Sequence, residues 1–301
     1  MQHNVQPESR RSAILANAVC VLFWGFSFIS IKVAVTVFPP MTLGALRFAI
    51  AVVILAVIRG IQNLRERLSP RDIPLLVVSG ISGVTLYFFC ENNGVALVSA
   101  SEASIIIASI PVLTLLTEFI WGKFRASKDT PLFKKSVWLG VFLSMVGVIL
   151  VAGVSITITG NAAGYVFMGG AALCWVAYGF ATKPLFARHS QSFIVFWQNF
   201  FGFLGFLPFA IMEFNRIGKP GPAVILHVLF LAVFCSAIGY LIYAHAMRAL
   251  GVSATSVFIN LVPLVTVSAG FIILGERLTP LQWAGAVLVL TGVYFTIRRS
   301  K

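Results

Sequence analysis

Charged side chains are scarce in this chain of 301 residues. Asp, Glu, Lys and Arg make up 10% of it, whereas 59% of the residues are hydrophobic. A soluble globular domain carries about 25% charged and about 45–50% apolar residues. The shortage excludes a water-exposed surface of ordinary size. It is typical of a chain that crosses a lipid bilayer many times, so the bilayer is its expected surroundings.

Cysteine is also rare, and its spacing excludes two kinds of site. The four cysteines all lie inside apolar runs, and no two of them form a CxxC pair; they are Cys20, Cys90, Cys174 and Cys235. We interpret them as small buried hydrophobes, and predict no disulfide framework, metal site or cofactor.

The sequence lacks the common catalytic motifs. It has no GxxxxGK[ST] phosphate loop, no HExxH and no GxSxG. ATP hydrolysis is therefore excluded, and no catalytic residue is predicted. A membrane-embedded enzyme is the alternative of another class, and it would need a clustered catalytic set at one depth.

The net charge of +13 does not indicate a nucleic-acid partner. Most basic residues lie in the breaks between apolar runs. Basic residues at such positions determine how a chain is oriented in the membrane. Because a span needs about 20 apolar residues, the runs predict ten spans: 13–36, 41–58, 73–95, 102–121, 134–153, 163–185, 192–213, 223–247, 252–273 and 280–297.

The basic residues predict the orientation of these spans. Seventeen of the 22 fall on the side of the two termini, three fall in the opposite loops, and Lys32 and Arg47 lie within spans. Positive residues favour the cytoplasmic side. We therefore expect residues 1–12 and 298–301 in the cytoplasm, and the chain in the cell inner (cytoplasmic) membrane.

The chain repeats itself. The segment from Trp24 to Lys32 matches the segment from Trp175 to Lys183, and the spans containing Pro111 and Pro263 match further on. Five spans per half is an odd number, so the second half enters the membrane from the other side. We predict an all-α membrane protein of ten helices in two inverted repeats, 13–153 and 163–297, joined by an extracytoplasmic linker, 154–162.

Polar residues inside the spans have two interpretations each. Lys32, Lys183 and Arg47 either extend to the interface or act as gates and partners of a substrate carboxylate. Asn92 and His245, matched across the repeat, either bond neighbouring helices or line a pathway.

The proline spans carry a further candidate. Asn260 either satisfies the backbone freed by Pro263 or contacts a ligand, and Pro111 and Pro263 are expected to act as hinges. Three acids, Glu91, Glu102 and Glu118, fall near predicted span ends, where pairing with Lys or Arg is expected.

Aromatic residues indicate the kind of substrate. There are 27 Phe, six Trp and six Tyr. Many should face lipid, but one set lies on the matched spans 1, 3, 6 and 8: Trp24, Phe28, Tyr87, Trp175, Tyr178, Tyr240 and Tyr243. A cavity walled by such rings suits a small molecule with a large apolar part and a small polar head.

In these features the chain resembles the EamA-type drug/metabolite transporters. The matching pieces run in order over 13–297: Trp24-Gly25 with Lys32, Arg47-Phe48, the two proline spans, Gly275-Glu276, Trp283-x-Gly285 and Gly292-Val293. The first repeat departs from the pattern, with Gly122-Lys123 where the second has Gly275-Glu276, and with a longer basic loop, 123–135.

The resemblance implies ten spans in two inverted repeats, with spans 1–4 and 6–9 around a cavity and spans 5 and 10 to the side. Within the family, the similarity is greatest to the YddG type of exporter. We therefore expect a secondary transporter that works by alternating access and exports aromatic or hydrophobic amino acids. The alternative within this class is an exporter of cationic or amphiphilic drugs. One chain supplies both halves, so we expect a monomer.

Overall fold

The computed structural model describes residues 7–63, 66–124, 135–152, 161–274 and 279–298. Most of the expected linker 154–162 and of the basic loop 123–135, together with Gly275-Glu276, lie outside these ranges. So do residues 1–6 and 299–301 of the two termini.

Helices build the whole described chain. In order they are α1 (Pro7–Ala34), α2 (Pro40–Ile61), α3 (Ile73–Leu97), α4 (Ala100–Ile107 and Ile110–Phe124), α5 (Lys135–Ala152), α6 (Ala162–Thr182), α7 (Gln191–Glu213), α8 (Pro222–Leu250), α9 (Val252–Ser256, Val257–Leu261 and Val262–Leu274) and α10 (Pro280–Arg298). Among the described residues, eight of them are long and apolar enough to cross a membrane, and the apolar parts of α5 and α10 are shorter. The all-α membrane fold predicted from the sequence is confirmed.

Local sequence signals explain where several helices begin. Proline occupies the first turn of α2, α3 and α8, where its missing N–H needs no helical partner. Ser190 caps α7, and Ser99 and Glu102 cap α4 reciprocally, each side chain bonding the other's backbone N–H.

Four helices are interrupted at repeat-matched places, which the span pattern did not predict. Helices α3 and α8 contain π-helical segments, Ile81–Leu86 and Leu231–Ile238. Helix α4 breaks at Ala108-Ser109, and α9 passes through the 3₁₀ segment Val257–Leu261. Pro111 and Pro263 each stand second in the helix that follows the break, because proline is tolerated in a first turn and not in a helix interior.

The helices pair as a two-fold arrangement would require. Helix α2 packs on α7, α5 on α10 and α4 on α9, while α1 packs on α8 and α3 on α6. Exchanging the two repeats leaves this list unchanged, which is the mark of a two-fold relation between them. Equivalent helices of the two halves therefore both contribute to the interior between the repeats.

Helices α5 and α10 meet backbone to backbone. A Cβ on Gly147 would lie 2.6 Å from the Val289 nitrogen and 2.7 Å from the Gly285 oxygen, and Gly140 faces Gly292 in the same way. Small residues allow this close approach in membranes, so these glycines let the two helices pack together.

Candidate functional site

A small cavity lies at the centre of the bundle, between the two repeats. Its volume is about 30 Å³, which is room for about two water molecules. Its walls come from α1–α4 and from α6, α8 and α9, and among the described residues none from α5, α7 or α10 lines it. The lining side chains are Trp24, Ser27, Phe28, Arg47, Tyr87, Phe88, Glu91, Ile107, Ile110, Trp175, Tyr240, Ile259 and Val262.

The aromatic residues singled out from the sequence form one cluster around this cavity. The ring of Trp175 lies 5.2 Å from that of Trp24, with the planes nearly perpendicular, and 4.9 Å from that of Tyr87. Tyr178 and Tyr243 form a second layer, each in contact with Trp175 but not lining the cavity. Tilted and edge-to-face contacts at these separations stabilise such a cluster beyond simple burial.

Hydrogen bonds hold the polar edges of these rings across the repeats. The Trp24 indole donates to the Cys235 carbonyl at 3.2 Å, and the Tyr240 hydroxyl donates to the Gly83 carbonyl at 2.6 Å. Both carbonyls belong to π-helical segments, whose widened turns occur often at functional sites. The wall of the cavity is therefore positioned by backbone as well as by ring packing.

Arg47 reaches the cavity instead of the membrane interface. Its side chain is 1% exposed, and its guanidinium carbon lies 4.1 Å from the centre of the Phe88 ring, a cation–π contact. Its Nε donates to the Ser236 hydroxyl of α8 at 2.9 Å. Of the two interpretations open from the sequence, extension to the interface does not fit this geometry, and a role toward a substrate stays a prediction.

Glu91 also lines the cavity, which the sequence analysis did not predict. We expected it near the outer end of span 3, paired at the interface. Its side chain is instead 3% exposed and accepts a 2.8 Å hydrogen bond from the Tyr87 hydroxyl one turn earlier. The span pattern gives position along a helix but not the face, and this face of α3 turns inward.

The two charges occur in the first repeat alone. Aligning the repeats places Asn199 opposite Arg47 and Ala244 opposite Glu91. Asn199 is buried in α7, where its amide donates to the Val195 carbonyl, and Ala244 is buried in α8. An apolar part of the cavity wall, by contrast, is the same in both repeats, since Ile107 in the first repeat corresponds to Ile259 in the second.

Three predicted polar residues lie outside the cavity. Asn92 donates to the Pro40 carbonyl at 2.9 Å and so ties α3 to the start of α2. Asn260 donates to the Ser144 hydroxyl and ties α9 to α5. His245 is half-buried in α8 and does not line the cavity.

Lys32 and Lys183 lie at opposite faces of the bundle. We call the end at which α1 begins and α10 ends the terminus face, and the other end the opposite face. On the opposite face, the Lys32 ammonium donates to the Val95 and Val98 carbonyls at 2.7 and 2.8 Å, capping the end of α3. On the terminus face, Lys183 lies 3.6 Å from Glu118, which also accepts from the Ser253 hydroxyl of α9.

A second cluster on the terminus face was missed by sequence reasoning. Asp72, just before α3, bonds both Arg188 and the His189 Nε2 atom, the latter at 2.9 Å. Glu66 approaches the His189 Nδ1 atom at 3.3 Å and accepts from the Ser190 backbone N–H at 3.0 Å. The loop between α2 and α3 is thus fastened to the loop between α6 and α7. The excess of charge in both loops was the available signal.

Both carboxyls of this cluster have a lowered pKa. The hydrogen bond from His189, followed by the charge of Arg188, holds the pKa of Asp72 below its ordinary value despite burial. Burial raises the pKa of Glu66, but hydrogen bonds from Ser190 and His189 outweigh it and leave the pKa lowered. Both groups therefore favour the charged form that fastens the loops.

The opposite face has its own connections between the repeats. Glu213, at the end of α7, accepts from the backbone N–H groups of Met41 and Thr42 at 3.0 and 2.8 Å, which places a carboxylate at the start of α2. Glu102 accepts a 2.6 Å hydrogen bond from the Tyr165 hydroxyl of α6. The cavity is therefore closed by inter-repeat contacts on both faces.

Known proteins with this sequence pattern are transporters. The profile of the EamA-like transporter family matches residues 11–153 and again residues 162–298. An uncharacterized transporter of Archaeoglobus fulgidus is 29% identical over 94% of this chain and 97% of its own. A probable terminal-alkyne amino-acid exporter of Streptantibioticus cattleyicolor is also 29% identical, over 96% of this chain and 94% of its own.

A solved crystal structure shares the fold. It superposes with a TM-score of 0.75 at 17% identity and covers 95% of this chain and 98% of its own. The family is one of membrane transporters and not of enzymes, and its profile matches the chain once in each half. This chain is a multi-pass membrane protein and belongs to the EamA-like transporter family.

Proposed function

We propose that this protein is a secondary transporter that exports aromatic or hydrophobic amino acids and related metabolites across the inner membrane, with both termini in the cytoplasm. The observation that carries this proposal is the central cavity, where rings from both repeats form much of the wall and Arg47 and Glu91 are the charged lining residues. The similarity to an amino-acid exporter supports the same class of substrate.

The two sets of inter-repeat contacts supply the gates of an alternating-access cycle. Opening the terminus face requires Asp72 to release Arg188 and His189. Opening the opposite face requires α2 to leave Glu213. Because the cavity holds only about 30 Å³, a substrate must be loaded in a state in which one face has opened. The helix breaks before Pro111 and Pro263 lie beside the lining residues Ile110 and Val262, which supports assigning these prolines to the hinges.

Flux measurements test this proposal. Liposomes containing only the purified protein are loaded with tryptophan or phenylalanine, and efflux is followed with and without an imposed pH gradient. We expect saturable efflux, and a large loss in Trp175→Ala at unchanged folded yield. Flux that follows the amino-acid gradient alone identifies an uncoupled carrier, and flux that needs the pH gradient identifies proton coupling. Absence of flux of either amino acid from folded protein would contradict the proposal.

A second candidate is an exporter of cationic amphiphilic compounds. The inward position of Glu91 favours it, because a buried carboxylate beside aromatic faces suits an organic cation. Arg47 in the same wall disfavours it, since two cations would then share one small cavity. Saturable efflux of a quaternary ammonium dye without any efflux of tryptophan would identify this second function.

A further inference from the structure

Arg47 is a buried cation whose hydrogen-bonding capacity is incompletely used. Its Nε atom bonds Ser236 and its plane lies against Phe88. Its Nη1 atom is buried and, within the described part of the chain, has no hydrogen-bond partner. A guanidinium presents its donors in a planar fork that fits a carboxylate. The unbonded Nη1 atom could therefore donate to an anionic group of a ligand.

Glu91 is a buried acid in the complementary situation. Its Oε1 atom accepts from Tyr87, while its Oε2 atom is buried and has no partner among the described residues. Leaving part of a buried charged group without a hydrogen bond is costly. The unbonded Oε2 atom could therefore accept a hydrogen bond from a ligand, most favourably from a cationic donor.

The two groups line one cavity but do not satisfy each other. The ion pairs found within 4.0 Å in the described residues involve Lys183, Arg188 and His189, and none joins Arg47 to Glu91. Glu91 was expected at the interface and Arg47 either there or at a substrate, yet both line the same cavity. A ligand with one charge would satisfy one of them and leave the other unbonded.

We propose that Arg47 and Glu91 together recognise the zwitterionic end of a free α-amino acid. Arg47 binds the α-carboxylate, Glu91 binds the α-ammonium, and the side chain of the ligand lies among the rings of Trp24, Trp175 and Tyr240. This assignment rests on the proposed function, and it narrows the substrate class to compounds that carry both charges. Ser236 acts as a positioning residue, because its hydroxyl fixes the Arg47 side chain from the other repeat.

Three related probes separate the two roles. L-Tryptophan carries both charges, tryptamine lacks the carboxylate, and indole-3-propionate lacks the ammonium. Their binding to the purified full-length protein is measured by calorimetry at one pH and salt concentration. Hydrogen bonds to charged groups predict changes of about tenfold to a hundredfold for each lost contact.

Arg47→Gln and Glu91→Gln should show opposite patterns of affinity for the two singly charged probes. In Arg47→Gln, affinity should fall for tryptophan and indole-3-propionate but not for tryptamine. In Glu91→Gln, affinity should fall for tryptophan and tryptamine but not for indole-3-propionate. Ser236→Ala keeps both charges and should weaken the two carboxylate probes by a few-fold, which preserves a test if removing Arg47 prevents folding. Lys219→Gln, in an exposed loop, is the control for lost positive charge. Asp129→Asn, in the loop 123–135 between predicted spans, is the control for lost negative charge.

The outcomes distinguish this assignment from the function on which it rests. Wild-type protein that binds tryptophan, with variants that weaken all three probes equally, would overturn the assignment and leave the transporter function standing. Wild-type protein that binds tryptamine more tightly than tryptophan would also overturn it, in favour of a carrier of organic cations. Folded wild-type protein that binds none of the three would contradict the proposed function itself.

Discussion

The hydroxyl of Tyr240 donates a 2.6 Å hydrogen bond to the carbonyl oxygen of Gly83, so the π-helical segment of α3 is joined to the helix that continues the π-helical segment of α8. Both residues belong to buried surfaces between the repeats, and Tyr240 is 1% exposed. The bond places one wall of the cavity in a fixed register with the other. Removing it tests whether that register matters for transport.

Tyr240→Phe should lower the free energy of unfolding by about 1 kcal/mol, since the ring is kept and one buried hydrogen bond is lost. It should also weaken tryptophan binding, because the lost bond positions the Tyr240 ring that lines the cavity. Thermal unfolding in detergent and binding calorimetry check both effects. Unchanged stability and unchanged tryptophan affinity in Tyr240→Phe would contradict the prediction.

Gly147→Ala should destabilise the protein by about 1–3 kcal/mol, because the added methyl would press on backbone atoms of α10 that cannot rotate away. The yield of monodisperse protein and the unfolding temperature measure this. Gly169→Ala is the matched control: nothing lies within 4 Å of a Cβ there, and alanine favours a helix over glycine by up to about 1 kcal/mol. A Gly147→Ala variant as stable as this control would refute the close seam between α5 and α10.

The cluster around Asp72 should make stability depend on pH in acid. A carboxyl whose pKa is lowered on folding contributes stability above its unfolded value, which is 3.8 for aspartate, and loses that contribution as the pH falls through its folded pKa. The unfolding temperature should therefore decrease as the pH is lowered below about 4. The charged group that faces Asp72 directly is Arg188, the titratable ring of His189 lies beside it, and Glu66 approaches the other side of that ring.

Asp72→Asn should be less stable at neutral pH and should show a shallower fall between pH 5 and pH 3. Lys219→Gln, which leaves this cluster intact, should keep the wild-type slope. Parallel curves for wild type and Asp72→Asn would show that the hydrogen bonds from His189 and Arg188 do not lower this pKa.

Asn260 is expected to act as a tie between helices and not as a ligand-binding residue. Asn260→Ala and Ser144→Ala should each lower stability by about 0.5–1.5 kcal/mol, and the double variant should cost less than the sum, because both remove the same bond. Tryptophan affinity should be unchanged in all three. A large loss of affinity in Asn260→Ala with none in Ser144→Ala would return Asn260 to the binding site.

The sequence predicted the helices and the aromatic wall better than it predicted the polar residues. Trp24 and Trp175 were recognisable because the same Trp-to-Lys spacing occurs in both repeats, and the structure places their rings in contact. Glu91 was misplaced because hydropathy reports depth along a chain without the direction of a side chain. Measured from the nearer ends of their helices, Glu91 lies about 9 Å and Arg47 about 10.5 Å in at 1.5 Å per residue, and the separate spans did not reveal these similar depths.

The apolar span pattern did not predict the interruptions of α3, α4, α8 and α9, for a related reason. A π-helical or 3₁₀ segment changes the hydrogen-bonding step without changing the apolar composition, so the span pattern continues through it. Only Pro111 and Pro263 gave a local signal, and it marked the breaks in α4 and α9 but not the π-helical segments in the other two helices. The terminus-face cluster of Asp72 and His189 depends on two loops meeting, which no local pattern encodes.

The restriction of Arg47 and Glu91 to the first repeat has a consequence for the direction of transport. If the repeats were chemically identical, the inward-open and outward-open states would be equal in energy, and the empty carrier would rest equally in both. With Asn199 and Ala244 opposite the two charges, exchanging the roles of the repeats does not restore the same molecule. In the proposed alternating-access cycle, symmetry therefore does not make the two states of the empty protein equal in energy, and we expect unequal rates from its two sides, although in an uncoupled carrier the substrate gradient alone still decides the sign of net flow.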